Sequence, residues 1–268
     1  MPEISVLMGA FNCASTIGKS IESIQAQTFP DWELIICDDG SADDTVSVVR
    51  KYAAADPRIR LLVNPENRKL SYTLNRCLEN ASGRFCARMD GDDICDPTRF
   101  QKQLDFLKSH PEYAFVSTTM KRFDEKGIYA DPGVTPGYSP GADDFVPGSP
   151  FCHAPVMIRT EAYRHVGGYC ENEKVAGVED YDLWFRLYAA DFRGFILGEP
   201  LYSMFDGREA SRRRSFRRRL NEFYVRKNGY RLLNVNWLKR IYMFKPIILG
   251  LLPQGLYIWL RKALKNWN

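Results

Sequence analysis

Met89-Asp90-Gly91-Asp92-Asp93 is the stretch on which the reading of this chain turns. It follows Arg84-Phe85-Cys86-Ala87-Arg88, a short run suited to a buried strand, and precedes Ile94-Cys95-Asp96-Pro97, where a loop turns into a helix. Three carboxylates therefore sit at the C-terminal tip of a strand. Asp and Gly are poor strand formers, and acids this close repel one another unless positive charge lies among them. A hard divalent cation with oxygen ligands would supply that charge. An isolated Asp-Gly-Asp-Asp run is as readily a solvated turn, so its surroundings decide.

Upstream, Ile4-Ser5-Val6-Leu7-Met8 predicts a first strand ending at Gly9, and residues 14–27 carry Ile17, Ile21 and Ile24 at helical spacing. Glu33-Leu34-Ile35-Ile36-Cys37 predicts a second strand that runs into Asp38-Asp39-Gly40-Ser41. A helix over 43–55, a strand over 59–63 and a helix over 70–80 follow, with the acidic strand next. This alternation predicts an α/β fold, a mostly parallel sheet covered by helices on both faces. Ligands of such sheets bind outside the C-terminal strand ends, where Gly9, Asp38-Asp39 and Asp90 to Asp93 would converge.

Downstream, the pattern predicts a helix over 98–109 and a strand over 114–116. Residues 124–150 are rich in Pro and Gly, and a loop that long is usually functional or mobile. A strand over 154–158, a helix over 160–166 and Gly167-Gly168-Tyr169 lead to Glu179-Asp180-Tyr181-Asp182, which opens a helix to about 190. Asp180 shares a helical face with Trp184 and Leu187, so burying that face aims it at the cleft.

The bulk composition is that of an ordinary globular protein: 268 residues, 45% hydrophobic and 26% charged. The net charge of +4 conceals an asymmetry, because seven of the twelve residues from 208 to 219 are arginine. Seven scattered cysteines without a C-x-x-C pair argue against a disulfide framework or thiolate zinc site and fit a reducing cytosol. No basic leader and no apolar run of membrane-spanning length is visible. Gly18-Lys19-Ser20 lacks the earlier glycine of a phosphate-binding loop, and no G-x-G-x-x-G follows the first strand. The Asp90 run fails the EF-hand spacing at Ile94, and no G-x-S-x-G elbow exists.

What remains is carboxylates in three places: Asp38-Asp39, Asp90 to Asp93 and Glu179-Asp180. Each alone suits a turn or helix start. Together on one sheet edge they suit a metal-bound diphosphate. A cation at Asp92 or Asp93 would stabilise charge on a leaving diphosphate, and a separate carboxylate such as Asp180 would deprotonate an attacking hydroxyl.

The order ISVLMGAFN, QTFPDWELIICDDGSADDT, ARMDGDDICDPTRF and GVEDYDLWFRL, across roughly residues 3–205, resembles the inverting glycosyltransferases of family 2, with the GT-A fold. The resemblance implies that Gly9, Ala10, Phe11, Asp38 and especially Asp39 hold a nucleoside, usually uridine. It places Asp90 and Asp92 near ribose and sugar, and Asp93 as the first ligand of a Mn or Mg ion, with Asp92 beside it. His153, ahead of the V-M-x-R stretch, is a further metal candidate, although a core histidine is an equal reading. Asp180, with Glu179, falls on the general-base motif. The chain departs from the family at Asn67-Arg68-Lys69-Leu70, where Lys69 replaces a glycine of the loop that borders the nucleotide and includes Arg68. The Q-x-x-R-W motif of processive synthases is absent, which implies transfer of single sugars.

The expected organisation is a catalytic domain over 1–205, its nucleotide half 1–93 and acceptor half 94–205, followed by a basic, amphipathic helical region over 206–268. The resemblance implies a UDP-sugar donor and a saccharide acceptor, carried on a lipid diphosphate, in cell-surface polysaccharide synthesis. The arginine cluster and the apolar, basic-flanked segment 246–260 would dock on anionic lipid at the cytoplasmic face of the bacterial membrane. A helix packed on the catalytic domain, or a contact within a homodimer, is the alternative use of that segment. A sugar nucleotidyltransferase would want an early glycine-rich phosphate loop, which is missing. A non-catalytic carbohydrate- or lipid-binding module would not need complete acidic motifs. Nucleic acid is not an expected partner, since no recognition module accompanies the arginines.

Overall fold

A computed structural model describes residues 1–206 and 215–251. The N-terminal half alternates as β1 (Ile4–Ala10), α1 (Ile17–Gln25), β2 (Trp32–Asp38), α2 (Thr45–Ala55), β3 (Ile59–Val63), α3 (Lys69–Glu79) and β4 (Phe85–Asp90). Then come β5 (Ile94–Cys95), α4 (Arg99–Ser109), β6 (Phe115–Thr118), β7 (Lys121–Asp124), β8 (Gly127–Ala130), β9 (Met157–Arg159), α5 (Thr160–His165), α6 (Glu179–Ala189), β10 (Gly194–Leu197) and β11 (Tyr202–Phe205). The described part ends with α7 (Phe216–Leu232) and α8 (Lys245–Leu251).

Seven strands form the main sheet in the order β10-β6-β9-β4-β1-β2-β3. All its pairings are parallel except those of β9, which runs antiparallel between β4 and β6. The side-chain period of two sends neighbouring residues of β1 to opposite faces. Val6 and Met8 pack with Ile17, Ile21 and Ile24 of α1, whereas Leu7 joins Leu74 and Cys77 of α3 in the other core layer. Register then aligns the strand tips. Gly9 stands opposite Asp90, and Ala10 opposite Asp38, so the first and second acidic stretches end on one edge.

A second sheet, β5-β11-β7-β8, lies at that edge. Its β7–β8 hairpin reaches into the stretch that reads as a long loop, because Lys-Arg-Phe-Asp and Gly-Ile-Tyr-Ala are too short and polar to show a strand period. The described C-terminal helix is not detached. Val225 and Tyr230 of α7 and Val235 after it share a core with Trp184, Phe185 and Leu187 of α6. Gly229 permits this contact: a Cβ there would stand 2.2 Å from the Phe185 ring. Arg226, 2% exposed, donates to the carbonyls of Val146 and Pro147 and pairs with Glu222, so the charge buried at this contact is partnered. Arg208, Arg212, Arg213, Arg214 and the expected apolar segment beyond Leu251 lie outside the described residues.

Candidate active site

The acidic loop after β4 is held from below by α1. Thr16 Oγ1 donates to the Gly91 carbonyl at 2.9 Å, and Ser20 Oγ to that of Asp93 at 2.8 Å. Gly91 fits because any Cβ would press on Cys13 Sγ at 3.1 Å. Beneath the loop lies Arg88, 3% exposed, whose guanidinium pairs with Asp90 Oδ1 at 2.5 Å and donates to the Met89 carbonyl. Asp93 is 2% exposed, and its Oδ1 accepts the Phe205 amide at 2.7 Å. Burial pushes the Asp93 carboxyl up to about 8, with Asp90 and Asp92 adding to the rise and the Phe205 amide and Tyr202 hydroxyl opposing it. An arrangement that strains to ionise Asp93 is one that favours a cation beside it.

The second acidic pair is used differently. Asp39 Oδ1 accepts from Asn64 Nδ2 and the Arg68 amide, and Oδ2 from the Lys69 amide, at 2.8 to 2.9 Å. Asp39 thereby fixes the loop that borders the expected nucleotide. Lys69 holds φ of 73°, the left-handed conformation for which glycine is suited, at the position where the resemblance expects a glycine. Arg68 lies over the Tyr72 ring at 4.4 Å. Asp38 is fully buried; its Oδ2 takes the Ser41 amide at 2.9 Å, while Oδ1 has no hydrogen-bond partner among the described residues. Ala10 is buried with Asp38, whereas Gly9 and the half-exposed Phe11 open onto the cleft.

The third site element is the first turn of α6. Glu179 Oε2 accepts the Gly177 amide at 2.6 Å. Burial pushes the neighbouring Asp180 carboxyl up to about 7; Glu179 raises it further, and Arg218 pulls it down. His153 Nε2 is bound to the Tyr169 hydroxyl at 2.6 Å, and Tyr169 in turn to Tyr163. The Gly167-Gly168-Tyr169 segment is pinned by Asn75 of α3, which exchanges two hydrogen bonds with the Tyr169 backbone at 2.8 and 2.9 Å. Burial and the Arg88 charge push the His153 imidazole down to about 3, so it stands neutral, with ring nitrogen able to accept.

These parts meet in one cleft of about 370 Å³. Gly9, Phe11, Arg88, Asp90 to Asp93, His153, Glu179 and Asp180 all line it, together with Arg218 of α7. Ala10, Asp38, Asp39 and Arg68 are not part of the lining; the first three stand behind it and Arg68 on the loop that Asp39 fixes. Arg88, Arg218, Phe205 and the Tyr202 that bonds the Asp90 amide were not singled out by sequence motifs. Arg88 reads as an ordinary strand residue, and Arg218 is hidden within an arginine run.

The family model "Glycosyl transferase family 2" matches residues 5–167. EpsE of Bacillus subtilis (strain 168), itself assigned as a glycosyltransferase, is 40% identical over 253 residues, covering 94% of this chain and 90% of EpsE. The chain belongs to glycosyltransferase family 2. It is a GT-A enzyme of the sugar-transferring class, with relatives in bacterial polysaccharide biosynthesis. Among solved structures, Staphylococcus aureus TarS 1-349 in complex with UDP superposes with a TM-score of 0.70 at 17% identity, over 93% of this chain and 70% of that one. The mannosyltransferase PcManGT of Pyrobaculum calidifontis, in complex with GDP-Man and Mn2+, gives 0.63 at 17% identity, over 100% of this chain and 81% of that one. At this identity the two likenesses bear on the fold.

Proposed function

We propose that this family 2 glycosyltransferase moves a single sugar from a UDP-sugar to a hydroxyl of a saccharide with inversion, and that Asp180 is the general base. The observation that carries the reading is the Asp180 carboxyl in the same cleft as Asp90 to Asp93, with a raised proton affinity that suits a base working near neutral pH. Asp180 takes the proton of the acceptor hydroxyl, the freed oxygen attacks the anomeric carbon, and the bond from that carbon to the UDP oxygen breaks. Phe11 and the Asp39-fixed loop flank the nucleoside, and TarS in complex with UDP supports a uridine diphosphate leaving group.

Buried Asp93 with Asp92 beside it offers carboxylate oxygens that fit a hard divalent ion, while the neutral His153 imidazole shares the cleft with its Nε2 engaged by the Tyr169 hydroxyl. Among the described residues no three such side chains form a ready cage. A site of one or two protein ligands completed by substrate phosphates is the usual form for an ion of this kind. When bound there, Mn or Mg supplies positive charge to the leaving diphosphate. PcManGT, with Mn2+ and GDP-Man, supports that choice.

The acceptor in this reading is a saccharide on a lipid diphosphate, and the enzyme works at the cytoplasmic face of the bacterial membrane. Supporting this, residues 237–251 expose Trp237, Leu238, Ile241 and Ile248 among Lys239, Arg240 and Lys245. No described helix is long and apolar enough to cross a membrane. The test is UDP release over a panel of UDP-sugars with Mn, Mg or chelator. Asp180→Asn should bind UDP as wild type does and lose transfer by at least about a hundredfold. Wild-type transfer by Asp180→Asn would remove the base assignment.

A further inference from the structure

The first turn of α7 carries Arg217, Arg218 and Arg219 and no acidic residue. A helix N-terminus already bears positive partial charge, so three cations there are disfavoured by the macrodipole. Two of them are answered locally. Arg217 pairs with Glu173 at 2.5 Å, and Arg219 approaches Glu222 at 3.9 Å. Arg218 makes no ion pair of this kind among the described residues, and it is the one of the three that lines the catalytic cleft.

Its position is set by the fold. Ser215 accepts the Arg218 amide and starts the helix. Asn221, one turn on, donates to the carbonyls of Glu173 and Ala176, which ties α7 to the loop leading into the base helix. The Arg218 stem crosses Gly177, with Cγ, Cδ and Nε 3.4 to 3.5 Å from where a Cβ of Gly177 would lie. Glu179 and Asp180 feel its charge, yet neither pairs with it among the described residues: the Glu179 carboxylate accepts the Gly177 amide instead. The cleft thus holds a cation that makes no ion pair among the described residues, at a positive helix end, beside the base.

We propose that Arg218 binds a phosphate group of a substrate next to Asp180. The inference rests on the glycosyl-transfer reading, which supplies two carriers of that chemistry: the diphosphate of the donor, and the diphosphate that links the acceptor saccharide to its lipid. A guanidinium suits either, because its fork of N–H donors matches phosphate oxygens in pairs. Arg218 lies beyond residue 167, outside the segment that the family model matches.

Calorimetry on the full chain with Mn present separates the carriers. Binding of UDP, of uridine, and of geranyl diphosphate to UDP-loaded enzyme is measured for wild type, Arg218→Gln, Arg218→Lys and Arg217→Gln. If the donor diphosphate is the partner, Arg218→Gln weakens UDP about tenfold or more and leaves uridine unchanged. If the acceptor diphosphate is the partner, UDP affinity holds and geranyl diphosphate weakens by a similar factor. In either case Arg218→Lys recovers part of the loss and Arg217→Gln behaves as wild type. The proposal is overturned if Arg218→Gln, with an unchanged melting temperature, binds both diphosphates within twofold of wild type, or if wild type binds neither. Sugar transfer is not the readout, so failure of the glycosyl-transfer reading would show separately, as absent UDP release while diphosphate binding still depends on Arg218.

Discussion

Asp180 and Lys69 are two residues at which the local physics departs from habit. A carboxyl held near 7 is protonated, and useless as a base, in mildly acidic solution. kcat/KM should therefore fall about tenfold per unit below pH 7 and level off above it; a flat profile from pH 5 to 8 would be the contrary result. The same shift has a stability sign. Its folded proton affinity exceeds the unfolded one, so the group supports folding fully below about pH 4 and loses that support as pH rises through about 7. Asp180→Asn should accordingly gain melting temperature over wild type between pH 5 and pH 8, while losing transfer. Lys69 stores a simpler strain. A non-glycine residue in the left-handed region costs about 1–2 kcal/mol, and glycine gives back part of the relief in unfolded-chain entropy. Lys69→Gly should raise stability in urea by about 0.5–1 kcal/mol. A lower midpoint would show instead that the Lys69 side chain contributes to folding.

Helices and strands were legible in the sequence where the evidence is local, and the site was legible where acids fall at strand tips. Ile17, Ile21 and Ile24 announce α1, and Asp90 to Asp93 announce the end of β4, because a few neighbouring residues carry each signal. The rest depends on contacts across great sequence distance. The Phe205 amide reaches Asp93 from 112 residues away, and nothing in Tyr-Ser-Met-Phe marks it for that task. Arg88 is an arginine in an otherwise apolar strand, yet only the fold puts it under Asp90. Helix α7 is the largest such case: its arginines read as an appendage, but Gly229, Val225 and Tyr230 weld it to α6. Gly229→Ala tests that weld. With Phe185 1% exposed and no room for a Cβ, overpacking should cost about 1–3 kcal/mol in thermal or urea unfolding. Arg231→Ala, on the exposed side of the same helix, should stay within about 0.5 kcal/mol. Equal effects of the two would mean that α7 is loosely attached.

At the scale of the molecule, one helix joins two surfaces. The N-terminal turn of α7 borders the cleft, and the chain after its C-terminal end carries a broad apolar surface. Trp237 is 76% exposed, Ile241 69% and Leu251 70%, which is more large apolar side chain than a stretch of this length usually gives to water. The stretch is nevertheless anchored: Lys239 pairs with Asp143 at 2.7 Å, and Lys245 donates to the Pro147 carbonyl at 3.0 Å. A surface of aromatic and aliphatic groups mixed with cations, on an enzyme whose proposed acceptor is lipid-linked, is suited to the interface of an anionic bilayer. Burying a large apolar side chain contributes roughly 1.5–3 kcal/mol, so two such losses should be plain in a partition experiment. The full chain should float with vesicles of phosphatidylglycerol, less with phosphatidylcholine, and less again in 0.5 M salt, where charge attraction is screened within about 5 Å. Trp237→Ser with Ile241→Ser should cut flotation at least about tenfold while UDP binding is unchanged. If the double variant floats like wild type, the surface is not the membrane contact; if instead light scattering shows a dimer that the double variant loses, the surface joins two copies of the chain.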